Sequence, residues 1–185
     1  GPRLPALPGG DYITGGDGLS DCDAHGTIVA SVIAAKASRT DGVVGVAPDA
    51  SVISIRQSSR AFEPTSFGSG DIEARKKAGT VSTLARAIVH AANLGARVIN
   101  VSVTACVSSA EPLDQRTIGA AAWYAATVKD AVIVAAAGNV GEEGCAQNAT
   151  LHPSHPGDRR DWSNVRTISS PSWFSDYVLS VGAVT

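Results

Sequence analysis

Apolar residues recur along this chain with two distinct periods. Over 25–37, Ile28, Val29, Val32 and Ile33 fall at helical spacing, and Asp23 stands just before them where it can cap exposed N–H groups. Over 81–94, Val81, Leu84, Ala85, Ile88, Val89 and Ala92 mark the buried side of a second helix, which Gly95 stops. An Ala-rich third helix is expected over 111–129. Between the helices lie short runs of strand formers at 51–55, 97–103, 131–136 and 177–184. The 131–136 run has almost no polar residue, which predicts a strand covered on both faces. The rest reads as connections: a Gly/Pro-rich loop over 1–20, a turn at Val43–Pro48, an exposed insertion over 57–80 and a polar loop over 140–170.

Strands thus alternate with helices at βαβ spacing, which predicts an α/β fold: an open, mostly parallel sheet with helices on both faces. Such sheets place their sites at the carboxyl ends of strands. Asn139 ends one strand, and His25 would follow a strand upstream of residue 1, so both are expected on that edge. Composition adds bounds. At 185 residues and 44% apolar content, the chain corresponds to about one ordinary globular domain. A net charge of −2 leaves no electrostatic footprint for nucleic acid and no basic face for a membrane. There is no signal peptide and no apolar run long enough to span a bilayer. Residues 1–5 read as a loop rather than a domain start, and 180–185 stop as a strand ends, so the chain reads as a fragment. Three cysteines is an odd number. A cytosolic protein would keep them as free buried thiols; a secreted one would pair two and leave the third for a partner elsewhere.

Two segments share one chemistry. Asp21-Cys22-Asp23-Ala24-His25-Gly26-Thr27 puts a histidine where a loop becomes a helix, and Ala135-Ala136-Ala137-Gly138-Asn139 ends a buried strand on an amide side chain. A general base and a fixed hydrogen-bond donor are two parts of an acyl-transfer site. Gly138 lets a backbone approach without a Cβ in the way.

These residues carry a resemblance. His25-Gly26-Thr27-x-Val29-Ala30 resembles the histidine box of subtilisin-like serine proteases. Gly45-Val46-Ala47-Pro48-Asp49-Ala50 before a strand resembles their Gly-Val-Ala-Pro segment, and Gly95–Ser102 their approach to the substrate strand. Ala135–Asn139 is similar to their oxyanion segment, and Val181–Val184 to the strand before the nucleophile region. Each is weak alone; five in order over about residues 20–185 are specific. Pro2–Pro5, Gly9-Gly10-Asp11-Tyr12 and Asp17–Asp23 further resemble the mycosins, membrane-anchored members attached to mycobacterial type VII secretion systems.

The resemblance implies a three-layer subtilisin-like fold and a serine endopeptidase acting by a Ser-His-Asp mechanism on a polypeptide substrate. It implies no cofactor and no metal. His25 would be the general base and Asn139 the oxyanion donor. Peptide would lie along Val101–Thr104, making Ser102, Val103 and Thr104 substrate-binding, with Ala136, Ala137 and Gly138 on the opposite wall of the pocket. In the family the catalytic aspartate precedes this segment and the serine follows it. Residues 1–185 would then be a partial catalytic domain, inactive alone, of an exported protein tethered to the membrane outside this chain and facing the extracytoplasmic side. Secretion-complex membrane proteins would be possible partners. One departure concerns the pocket: the family commonly has Ser-Leu-Gly-Gly where this chain has Ser102-Val103-Thr104-Ala105, so a β-branched residue replaces a glycine beside the substrate.

Plainer roles fit other residues. Asp21 and Asp23 stand too close before His25 to orient it from behind and read as caps. Ser102 reads as structural, not nucleophilic. His90 reads as packed or partly exposed, His152 and His155 as members of a Pro-rich surface loop without a ligand set, and Arg159-Arg160 as a solvated turn. Pro171 matches a position often cis in the family. A scaffold role in a secretion complex, using 57–80 and 140–170 as contact surfaces, is the alternative to catalysis. A nucleotide-binding domain is disfavoured because no Gly-x-Gly-x-x-Gly follows a strand.

Topology predicts a disulfide between Cys106 and Cys145. The 97–103 and 131–136 strands, as parallel neighbours, would bring both to one sheet edge. The bridge would close about 38 residues and contribute roughly 3–4 kcal/mol in the chain-entropy model. Cys22 would pair outside the chain or stay free.

Overall fold

The computed structural model describes residues 3–39, 42–59, 61–62, 72–110, 113–141, 144–155 and 159–183. They fall into two compact units, 1–70 and 71–185.

In the second unit, α2 (Ile72–Asn93) and α3 (Arg116–Trp123, continued by a π-helical turn over Tyr124–Val128) supply the helical layer. Their inner residues Val81, Leu84, Ala85, Ile88, Ala92, Ile118, Ala121 and Ala122 form one core with Ile99, Val101, Ile133, Ala135 and Val178 of the sheet. Many alanines keep the layers close. The sheet has the order β3 (Val98–Val101), β5 (Val132–Ala136), β7 (Val178–Val181), all parallel, with Val98 opposite Val132 and Ala136 opposite Val181. A separate antiparallel pair joins β4 (Ala105–Ser108) to β6 (Thr167–Ser170), with Cys106 opposite Ser169.

The first unit pairs β1 (Ala6–Asp11) with β2 (Val52–Arg56) in parallel and carries α1 (His25–Ala34). Residues 45–47 cover the far end of α1: the N–H groups of Gly45, Val46 and Ala47 donate to the carbonyls of Ala35, Val32 and Ile33 at 2.8, 3.0 and 2.8 Å. Gly45 is required, because a Cβ there would stand 2.6 Å from the amide nitrogens of Ala34 and Ala35.

Several expectations are corrected. The 1–20 segment contains β1, hidden by its Gly and Pro. The second helix begins nine residues before Val81, inside the expected insertion; residues 72–80 have helix-forming side chains but no apolar stripe to reveal them. Of that insertion, 60 and 63–71 lie outside the described residues. The third helix starts at Arg116 rather than 111, and 111–112 also lie outside. The 140–170 loop ends in β6. The last strand is shorter than 177–184, with Val184 outside. Along β5, Ile133 and Ala135 are buried and Val134 and Ala136 half-buried, while Val132 is 53% exposed, beside exposed Val98 and Leu179. Likewise Ile28 and Val32 of α1 are exposed.

A buried ion pair organises residues 11–22. Asp11 and Arg56 meet at 2.5 Å, with side chains 2% and 9% exposed. Asp11 also accepts from the N–H groups of Ile13 (2.6 Å) and Thr14 (3.1 Å) and from the Thr14 hydroxyl (2.8 Å). Arg56 donates to the Ser20 carbonyl and the Thr14 hydroxyl. Burial pushes the Asp11 pKa up, but the hydrogen bonds from Arg56, Ile13 and Thr14 together outweigh it and hold the carboxyl well below the usual carboxylate range. A folded pKa below the unfolded value of about 3.9 contributes stability that is full above that value and lost as pH falls through the folded one. In the full-length protein, Asp11→Asn should therefore lower the thermal midpoint at pH 7. The gap to wild type should narrow as the pH is taken below about 4; a gap independent of pH would show that the charge is not what holds the loop.

Candidate active site

His25 is the first residue of α1, and the chain reaches it through Ala24 in the left-handed region at φ 61°. That turn decides which aspartate serves the helix. Asp21 Oδ2 accepts from the Thr27 N–H at 2.7 Å and the Thr27 hydroxyl at 2.5 Å, satisfying a first-turn donor. Asp23, the cap expected from its position, accepts from the His25 N–H at only 3.4 Å and from the Ser59 hydroxyl at 3.2 Å. The main cap is thus Asp21. His25 is exposed, and its ring makes no hydrogen bond among the described residues.

Upstream, the 12–22 loop is tied back to the β1–β2 pair. Gly10 N–H donates to the Asp17 carbonyl, and the Ser54 hydroxyl to the Gly18 carbonyl. Cys22 is exposed and free, with its sulfur 4.0 Å from a guanidinium nitrogen of Arg56.

In the second unit, the β3–β5 register ends with Val101 opposite Ala135, and Ser102–Thr104 and Ala136–Gly138 follow those two residues in the chain. The ladder of β3 stops at Val101, two residues short of the expected strand end, so Ser102, Val103 and Thr104 are half-buried irregular backbone. Among the described residues, β3 is paired on one side only, with β5. The Ser102 hydroxyl accepts from the Asn100 amide at 2.9 Å. Ala136 is held by the Ser172 hydroxyl on its carbonyl, and Ala137 donates to Val181. Gly138 then turns the chain at φ +119°, a conformation that suits glycine. Asn139 follows, exposed, its amide without a hydrogen bond among the described residues.

Cys106 and Cys145 form a disulfide with Cα atoms 5.1 Å apart and a separation of 39 residues, as the strand order predicted. The Ser170–Pro171 bond is cis. His152 and His155 lie in an exposed turn, their ring centroids 6.0 Å apart. Arg160 is no simple solvated turn residue: it bridges Thr150, and its side chain donates to the Asn148 carbonyl at 2.8 Å.

Sequence reasoning missed the Asp11–Arg56 pair and the Asn148 clamp, whose side-chain oxygen accepts from the N–H groups of Arg166 and Thr167 at 2.8 and 3.0 Å. Asp11-Tyr12-Ile13-Thr14 does carry the local signal of an Asx turn, but nothing in it points 45 residues away to Arg56.

A subtilase-family model matches residues 8–185. The chain belongs to the subtilase family. It is 52% identical to mycosin-1 of Mycobacterium tuberculosis over 186 residues, covering 99% of this chain and 42% of that protein. It is 46% identical to mycosin-2 of the same organism, covering 99% and 49% respectively. The chain thus spans about half the length of the curated relatives it matches. Among solved structures, MycP1 from Mycobacterium smegmatis superposes with a TM-score of 0.90 at 49% identity, over 99% of this chain and 48% of that one. A chain of an intact ESX-5 inner membrane complex does so with a TM-score of 0.90 at 51% identity, over 99% and 46%.

The two aspartates before His25 make opposite predictions in the full-length subtilase. Asp21→Ala should cost about 0.5–2 kcal/mol, read as a lower denaturant midpoint. Asp23→Ala should stay within about 0.5 kcal/mol of wild type. The reverse order would return the cap to Asp23.

Proposed function

We propose that this chain contributes the general base and the oxyanion donor of a serine endopeptidase of the mycosin type. Its 185 residues would form part of a subtilisin-like catalytic domain, with the nucleophilic serine and orienting aspartate supplied by other segments of the full-length protein. His25 takes the serine proton as the hydroxyl attacks the scissile carbonyl, then returns it to the leaving amine. Asn139 donates its amide N–H to the oxygen that becomes negative in the tetrahedral intermediate. Ser102–Thr104 and Ala136–Gly138 line the bound peptide, which lies along Val101–Thr104. The observation that carries this reading is the pair of exposed, untied side chains at the ends of regular elements, His25 opening α1 and Asn139 just past β5, in a chain matching the subtilase family over 8–185. A reactive imidazole and a donor amide must both be left available to substrate, and the absence of hydrogen bonds to the His25 ring and the Asn139 amide among the described residues supports this reading.

A second reading is favoured by the likeness to a chain of the ESX-5 inner membrane complex. The full-length protein would work beside secretion-complex membrane proteins, on the extracytoplasmic side and tethered to the membrane. The two readings are compatible.

In the full-length protein, His25→Ala should leave the fold intact and reduce peptide hydrolysis by several orders of magnitude, as loss of a triad member does. Asn139→Ala should reduce turnover about 10²–10³-fold with little change in KM, a scale measured for the donor of subtilisin itself. Near-normal turnover in His25→Ala sinks the catalytic assignment. If that variant still supports assembly of the secretion complex, the second role is separable from the first.

A further inference from the structure

Asn139 is held in an unusual way. The chain leaves the β5 ladder at Ala136, and Ala137 makes one further bond, its N–H to Val181 at 2.9 Å. Beyond it, neither backbone nor side chain of Gly138, Asn139 or Val140 makes a hydrogen bond among the described residues. The next polar tie is the Gly141 N–H on the Cys145 carbonyl at 2.9 Å. What lies against this stretch is the disulfide. A Cβ built on Gly138 would meet Ser169 Oγ at 3.3 Å, Cys145 Sγ at 3.4 Å and Cys106 Sγ at 3.5 Å. Both sulfurs therefore lie on the Cβ side of the residue that precedes Asn139, at ordinary contact distance from where a methyl group would stand. Cys106 is 1% exposed and Cys145 8% exposed. Cys106 is itself fixed in β4 opposite Ser169 of β6, so the backing is part of a sheet rather than of a loose loop.

We infer that the Cys106–Cys145 disulfide is a positioning device for the oxyanion donor, acting on Asn139 through Gly138 without touching substrate. The inference rests on the catalytic reading of Asn139 proposed above. An amide donor contributes only when it is fixed within a fraction of an ångström of the developing charge, and a misplacement of about 1 Å costs on the order of 100-fold. Hydrogen bonds usually supply that precision. Here the bridge lines the space on the Cβ side of Gly138, and its covalent bond ties Cys145, whose carbonyl holds the Gly141 N–H, to β4.

The test is a double-mutant cycle in the full-length protein: wild type, C106A/C145A, N139A and the triple variant. Removing the cysteines should lower kcat by about tenfold or more with KM nearly unchanged. In the N139A background the same removal should change kcat less than about twofold, because the group being positioned is gone. An equal loss in both backgrounds overturns the inference and leaves a purely structural bridge. Amide hydrogen exchange gives a readout that does not depend on hydrolysis. The cysteine variant should exchange faster at 138–141 while 132–136 stay protected; unchanged or uniformly faster exchange also overturns it. If C106A/C145A does not fold, wild-type protein held reduced by dithiothreitol gives the same readout. Hydrolysis that survives His25→Ala would instead reject the serine-protease reading, and the exchange result would still decide whether the bridge fixes residue 139.

Discussion

The first unit depends on the meeting of Asp11 with Arg56. Residues 9–18 include Gly9, Gly10, Gly15, Gly16 and Gly18 and offer few apolar side chains to bury. Hydrophobic packing cannot specify one conformation for such a segment, so polar pairing has to. Asp11 accepts four hydrogen bonds, two from the backbone just beyond it, while Arg56 reaches past it to the Ser20 carbonyl. Desolvating both charges is costly, and removing one partner would leave the other buried alone. The pair thus fixes the path of the chain between β1 and the aspartate that caps α1. The position of His25 at the start of that helix follows from this path.

The second unit solves a similar problem by other means. Packing of α2 and α3 on the sheet fixes the strands, and the parallel ladder fixes backbone as far as Ala137. Beyond the ladder the chain carries the exposed Asn139 amide, which makes no hydrogen bond among the described residues. A hydrogen bond to Asn139 would fix it and also occupy it. On the proposed reading, a sulfur pair on the Cβ side of the preceding glycine would steady the backbone and leave the amide free.

What was legible in the sequence was whatever repeats or punctuates. The later turns of α2 show because Val81, Leu84, Ala85, Ile88 and Ala92 recur at helical spacing, and β3 and β5 show because they are β-branched runs. The first turns of α2 carry no apolar stripe, and β1, β4 and β6 are short strands of Gly, Pro, Ser, Thr and Ala, so local pattern was silent. The antiparallel β4–β6 pair joins segments about sixty residues apart, and long-range pairing of this kind leaves no periodic mark. The apolar run of β5 reads as suited to burial on both sides; one face, Ile133 and Ala135, is buried, and the other runs from exposed Val132 to half-buried Val134 and Ala136. At the candidate site, the cysteine pair was readable from topology, and motif alone singled out His25 and Asn139. Asp21 was not singled out over Asp23, because the left-handed turn at Ala24 reverses which carboxylate reaches the first turn.

Gly138 shows how much one position can constrain. Its φ of +119° is strained for any residue with a Cβ, and the space a Cβ would take is already bounded by two sulfurs and a buried hydroxyl. The neighbouring atoms cannot retreat easily, since the sulfurs are bonded to each other and Ser169 is paired in β6. A substitution there would act chiefly through the backbone conformation of residues 138 and 139, because a Cβ would meet the sulfurs only at ordinary contact distance. The cost would appear in the placement of Asn139 before it appeared in the core, because the ladder through Ala137 is independently held. The positive φ makes the position intolerant, so the absence of a side chain at residue 138 is a condition of the geometry on both sides of it.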